Sequence, residues 1–381
     1  MKLHSPVRLL LAALLVLGAS LALLTWSPNR LLTGQGLGLG SLQTAWAAWL
    51  WLPALPLLAG PWLPERRVLQ WLQLLAAVLL SSVLLAVAGQ EALLRSGGED
   101  SLVRVSFGGG FWLLQLACWL QLSEQLRVLA DSVPRRSAVV LAALLPHAWL
   151  LLDGRLDALS LLKEYDNHGE TFGQALQQHL QLVGFSLLPA LGIGTALGVL
   201  AFRRQGVRAL LFPVLNVVQT IPSIALFGLL IGPLAWLGKQ LPGWGIAGVG
   251  MAPALLALTL YSLLPMTRGT LAGLAQVPVA VRDAARGIGL SPWQIFWRVE
   301  LPLALPVFLG GVRVTAVQAV GLAEVAALIG AGGFGAIMFQ GLSSSALDLV
   351  LLGVIPVVAL AVSVDTAFKI LISCLRRGQH D

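Results

Sequence analysis

Glu324 is an ionisable side chain set well inside an apolar run. A charge in hydrocarbon marks a functional site by default, facing a cavity or a partner. A carboxylate there attracts a cationic solute or gates by pairing with a neighbour; the other reading is a paired structural acid near the end of its span. Arg313 and Gln318 share the run, and Arg313, near its start, can snorkel to the surface rather than bind a ligand. A second group is Asn216, Gln219 and Ser223, recurring at i, i+3 and i+7, with Thr220 adjacent. That spacing lays them on one helical face. Pro222 breaks a backbone hydrogen bond at the same place, freeing a carbonyl and kinking the helix. The stripe reads either as the lining of a translocation path or as interhelical hydrogen bonding between packed spans.

Other chemistries are missing. The lysines are Lys2, Lys163, Lys239 and Lys369, and none sits in a phosphate-binding loop; Gly238-Lys239 is followed by Gln240. Gly330, Gly332, Gly333 and Gly335 have no strand before them and no Lys-Ser/Thr after, so they predict a tight turn or re-entry instead. The histidines are scattered, with no nucleophile beside a base. Cys118 and Cys374 lie far apart and predict neither a disulfide nor a metal site. No cofactor, no metal and no catalysis are expected. Many of the tryptophans fall near predicted span ends, among them Trp26, Trp62, Trp236 and Trp244, as in an interfacial belt.

The elements that must hold these residues are membrane spans. Of 381 residues, 57% are hydrophobic and 11% charged, a composition of polytopic membrane proteins. Apolar runs of bilayer-crossing length fall at about 7–26, 42–63, 68–88, 105–126 and 138–152, the last short and holding Pro146 and His147. The first is read as an uncleaved anchor rather than a signal peptide. A second set follows at about 182–202, 209–230, 245–264, 303–329 and 349–371. Ten spans therefore make an all-α polytopic fold. Its regions are residues 1–152, a polar loop with an amphipathic lead-in over 153–180, and a core over 181–381. With the N-terminus inside, most of the 24 Lys and Arg, from Lys2 and Arg8 to Arg376 and Arg377, fall on the cytoplasmic side. Only Arg30, Arg95, Arg104, Arg155, Lys163 and Lys239 face out, as the positive-inside rule requires. The basic balance thus implies a membrane, with its lipid as partner, and no nucleic acid.

One cytoplasmic stretch, 268–302, is long, polar and basic. Gly287 and Gly289 supply a helix stop. Ser291 offers an N-cap, Pro292 the first helical position and Gln294 the third position of a capping box. Two short helices and a turn are predicted, a rigid knob on the membrane surface. Asp283, Ala284, Ala285 and Gly289, followed by Val299, Leu301 and Pro302, resemble the EAA loop of permease subunits of binding-protein-dependent ABC importers. The departures are Asp for the usual Glu and Val for Ile. The resemblance runs from about Thr171 to the C-terminus, the five-helix core of a type I importer. Gly184-Phe-Ser186, Gly192-Ile-Gly194, Gln219-Thr-Ile-Pro-Ser223 and Ala326 to Gly335 are similar to the osmoprotectant branch. The long first half resembles the Yeh-type permeases of that branch.

The resemblance implies a permease subunit of a bacterial inner-membrane importer for glycine betaine or a related quaternary ammonium, multi-pass, with both termini cytoplasmic. It implies that Asp283, Ala284, Ala285, Gly289, Leu301 and Pro302 couple to a cytoplasmic ATP-binding subunit, where ATP is hydrolysed. A periplasmic solute-binding protein and a second permease copy, or a related permease, complete the assembly. Asn216, Gln219, Thr220, Ser223 and Glu324 are the expected translocation path. The rival expectation is a stand-alone secondary transporter coupled to an ion through Glu324, for which the EAA-like loop has no use.

Overall fold

The computed structural model describes residues 5–30, 32–97 and 102–377; Lys2, counted above on the cytoplasmic flank, lies outside them. The chain folds as two compact units, Met1–Asn167 and His168–Asp381, so the polar stretch 153–180 is shared between them.

The first unit opens with α1 (Pro6–Ser20), whose N-cap Ser5 accepts a hydrogen bond from the Arg8 amide. The expected span to Trp26 is cut short there. Leu24–Ser27 forms β1, the central strand of a small antiparallel sheet with β2 (Gln35–Leu37) and β3 (Arg104–Phe107). Thr25, Trp26, Val105 and Phe107 are residues that favour a pleated, half-buried surface, and strand pairing overrides the apolar run. The expected span 42–63 is also broken, into a 3-10 turn at Ala45–Leu50, α2 (Trp51–Ala59) and a second 3-10 turn at Gly60–Trp62. Pro53, Pro56 and Pro61 remove the amide donors that one continuous helix would need. Then come α3 (Arg67–Ser96), α4 (Gly109–Leu129), α5 (Val133–Leu152) and α6 (Ser160–Asn167). The region expected to be the shortest span is a full helix, because Pro134 at its first turn lets it start before the apolar run. Several buried polar groups in this unit pair with one another. Fully buried Glu91 accepts the Gln43 and Thr44 amides at 2.9 and 3.0 Å and pairs with Arg95 at 2.5 Å. Gln73 of α3 accepts from Gln121 and Gln125 of α4 at 3.0 and 2.8 Å.

The second unit holds α7 (Gly169–Arg203), α8 (Gln205–Thr220), α9 (Ser223–Gln240), α10 (Met251–Ala275), α11 (Val279–Gly287), α12 (Pro292–Ile295), α13 (Leu301–Val325), α14 (Phe334–Ser343) and α15 (Leu347–Arg377). The amphipathic lead-in and the first core span are one 35-residue helix, α7. At 1.5 Å per residue it is about 52 Å long, well beyond a hydrocarbon layer of about 30 Å. Its polar first turns therefore stand clear of the apolar zone. α10 is the central helix, packed between α7 and α13. Small residues allow it: a Cβ at Gly198 of α7 would lie 2.5 Å from the Thr270 Cβ, and one at Gly311 of α13 would lie 2.6 Å from the Gly269 Cα. Such small residues let backbones approach where lipid supplies no hydrophobic drive.

Six helical stretches among the described residues are long and apolar enough to cross a membrane: α3, α5, α7, α9, the stretch from α12 through α13, and α15. α4 and α10 have the length but carry buried Gln121 and Gln125, or Thr267 and Thr270. α1 and α14 are shorter apolar helices. The fold is a polytopic helical membrane protein with a small sheet in its first unit.

Candidate functional site: a tethered loop and a broken helix

The polar stretch forms as its capping residues require. α11 ends at Gly287, and Gly289 takes a left-handed φ of 85°. Ser291 accepts from the Gln294 amide, and Gln294 Oε1 accepts the Ser291 amide at 2.8 Å, closing the capping box. One feature of the expected helix-turn-helix differs. The second short helix does not end: it runs through a π-helical stretch, Phe296–Glu300, directly into α13. Pro302 has no amide to give the Arg298 carbonyl, and the ladder widens there, Leu301 donating to Phe296 instead. The loop's second arm and the span are therefore one lever.

Of the matched loop residues, Ala285 is buried while Asp283, Ala284 and Gly289 are exposed. Asp283 pairs with Arg286 at 2.8 Å, both half-exposed or more, a contact worth little in water. Ile288, Trp293 and Trp297 are exposed beside it, at 78%, 68% and 49%. Leu301 and Pro302 open α13, so the two halves of the motif meet where α11 packs on α12 and on the π stretch. Sequence reasoning missed Arg282 and Glu300. Arg282 Nη1 lies 3.8 Å from Glu300 Oε1, and its guanidinium carbon lies 5.4 Å from the Phe202 ring centre. The signal was two charges among the matched positions, Arg282 just before Asp283 and Glu300 between Val299 and Leu301.

The polar stripe is rearranged. Ile221 and Pro222 are extended, so α8 stops at Thr220 and α9 starts at Ser223. The expected single span 209–230 does not exist, because the residue before a proline is driven out of the helical region. Ser223 consequently leaves the face of Asn216 and Gln219. Both of these bind α10: Arg268 Nη2 donates to Asn216 Oδ1 at 2.7 Å, and Gln219 Nε2 to the Tyr261 carbonyl at 2.6 Å. Tyr261 in turn donates its hydroxyl to the Ile221 carbonyl freed at the break. Thr220 bonds within its own helix, to Val217 O at 2.8 Å. Tyr261 is ten residues into α10, about 15 Å along its axis, so the break faces mid-helix. A groove of about 640 Å³ lined by Arg208, Phe212, Pro213 and Arg268 opens between α8 and α10 below it.

Glu324 sits one residue before the end of α13, and among the described residues no hydrogen bond joins it to the stripe. Its Oε1 is buried without a partner among the described residues. The glycine turn lies just beyond: Gly330, Gly332 and Gly333 have positive φ, Gln178 of α7 accepts the Gly333 amide at 2.9 Å, and α14 folds back. Arg313 is not a free snorkelling cation, since its Nε lies 3.3 Å from Asp365 of α15, which Lys369 also binds at 2.6 Å.

Residues 190–377 match the family described as the binding-protein-dependent transport system inner membrane component, and residues 3–162 match the N-terminal domain of the ABC transporter permease YehY. The chain is 40% identical over 188 residues to the osmoprotectant import permease protein OsmW of Salmonella typhimurium, covering 49% of this chain and 84% of that one. The chain belongs to the permeases of binding-protein-dependent ABC importers. This permease is also 35% identical over 190 residues to the carnitine transport permease protein OpuCB of Listeria monocytogenes, covering 50% of this chain and 81% of that one. It is 39% identical over 184 residues to the ergothioneine transport permease/binding protein EgtU of Helicobacter pylori, covering 48% of this chain and 30% of that one. It is a transport component and not an enzyme.

Proposed function

We propose that this permease moves a compatible solute, glycine betaine or a related quaternary ammonium, across the bacterial inner membrane. The relatives named for osmoprotectant and carnitine transport support that solute class. A cytoplasmic ATPase docks on the loop formed by Asp283, Ala284, Ala285, Gly289, Leu301 and Pro302, and a periplasmic binding protein delivers solute to the opposite face. One five-helix core faces a second copy or a related permease. Both termini are cytoplasmic.

The observation that carries the reading is the capped loop whose second arm is continuous with α13. A docking knob joined to a span turns motion of the partner into motion of the core. The solute path runs along the α8–α9 break, with Gln219 and Tyr261 beside it and Asn216, Thr220 and Ser223 flanking it. Broken helices at mid-depth are where transporters expose backbone polar groups to solute. Glu324, with an oxygen unpartnered among the described residues near the opposite end of α13, supplies negative charge for a cation.

The test is affinity purification of the tagged permease from detergent-solubilised membranes. An ATP-binding subunit recovered in fixed stoichiometry supports the proposal. Its absence under conditions that keep other importers intact removes it, and ion-coupled uptake through Glu324 becomes the reading to test.

A further inference from the structure

α11 has only nine residues and one buried residue, Ala285. A helix that short does not hold its shape or place without tertiary contacts. It is bounded by Pro278 on one side and by the Gly287–Gly289 turn on the other, so its backbone connections leave it free to swivel. What fixes it is a ring of side chains. Arg282, midway along α11, reaches Glu300 at the end of the π stretch, and its guanidinium also faces the Phe202 ring. Phe202 is the penultimate residue of α7. From the next position Arg203 places its guanidinium 5.7 Å from the ring centre of Phe296, the first residue of the π stretch. One ion pair and two cation–π contacts thus join the end of α7, α11 and the root of α13.

Exposure separates this ring from the ordinary surface pair beside it. The Arg282 and Glu300 side chains are 17% and 12% exposed, against 67% and 58% for Arg286 and Asp283. A shielded pair is weakly screened by salt and holds its geometry, whereas an exposed one does neither. Arg suits the position because its planar group can lie over an aromatic ring while it pairs with a carboxylate.

We infer that Arg282 and Glu300 are positioning residues that make α11 one rigid body with α7 and α13. A push on the docking face then reaches two core helices at once instead of being lost in rotation of α11. This rests on the docking role proposed above, but rigidity and docking are measured separately.

The experiment is pulsed electron–electron distance measurement on the full chain in nanodiscs. Spin labels are placed at Val281→Cys on α11 and Leu328→Cys beyond α13, in a Cys374→Ser background. The expected result is a single narrow distance distribution for the otherwise native chain and at least a twofold broadening in Glu300→Gln. Arg282→Lys, which keeps the charge but loses the flat contact with Phe202, is expected to lie between. The exchanged pair Arg282→Glu/Glu300→Arg restores most of the narrowness. A Glu300→Gln distribution as narrow as the native one overturns the inference, as does an exchanged pair as broad as Glu300→Gln. Unlabelled versions are purified in parallel for a bound ATPase. Recovery with native and Glu300→Gln alike is expected, because the exposed docking residues are untouched. Recovery with none, the native chain included, defeats the proposed function while the distance widths still decide the clamp.

Discussion

Gly289 separates what the permease needs from what its partner needs. A Cβ there meets no atom within 4 Å, yet the backbone has φ of 85°. A Cβ therefore adds no clash inside the chain, and for Ala the penalty is conformational, about 1–2 kcal/mol. Since 1.4 kcal/mol is about tenfold in an equilibrium, Gly289→Ala weakens the turn by about an order of magnitude and leaves both units folded. Asp tolerates the left-handed region better than Ala, so Gly289→Asp strains the turn less. It does, however, project a charge from the face that Ile288 and Trp293 leave exposed. The two variants should rank oppositely in two assays. In detergent, Ala lowers the melting temperature of the permease at least as much as Asp. In copurification, Asp reduces ATPase recovery more than tenfold and Ala only a few-fold. Native recovery with Gly289→Asp refutes the docking assignment. Recovery that merely follows melting temperature in both variants refutes the claim that the face, rather than the fold, is what was damaged.

Three further outcomes follow from the packing. Gly311→Leu drives a side chain into the Gly269 backbone at the α10–α13 crossing and should abolish monodisperse protein, overpacking costing about 1–3 kcal/mol or more, whereas Gly310→Ala, with open space around its Cβ, should elute as the native chain does. Gln178→Leu removes the acceptor of the Gly333 amide and should weaken the glycine turn by about 1–2 kcal/mol, read as faster hydrogen exchange at residues 330–333 with α10 unchanged. Asp365→Asn leaves Arg313 and Lys369 without their shared carboxylate and, for a pair about 30% exposed, should destabilise the α13–α15 contact by about 1–3 kcal/mol in thermal unfolding; an unchanged melting temperature contradicts it.

The local chemistry of the loop was legible because caps act within a few residues. Ser291, Pro292 and Gln294 dictate a helix start wherever they occur. The core helices were legible as apolar runs for the same reason: hydrocarbon leaves helices as the way to satisfy backbone groups. What failed to read was decided by partners distant in sequence. The run 7–26 gives no sign that Leu24–Ser27 will find Arg104–Phe107 to pair with. Pro222 announced a kink, but a full break leaves the Ile221 carbonyl to a donor from another helix. Tyr261, some 40 positions away, is not apparent from the stripe. Arg282 just precedes the matched positions and Glu300 falls between two of them, and both looked like surface charge, since the stacking of Arg282 on Phe202 is a property of the fold. Asp365 was hidden inside a span in the same way, and it explains why Arg313 is tolerated there.

ATP-driven transport is tested most directly by solute flux with a defined energy source. The permease, with the subunits that copurify, is reconstituted into proteoliposomes loaded with ATP, and uptake of radiolabelled glycine betaine delivered by its binding protein is followed. For an ATP-driven importer, uptake needs internal ATP, stops with vanadate and persists when ionophores collapse the ion gradients. Uptake that ignores ATP and vanishes with the ionophore would contradict ATP-driven transport.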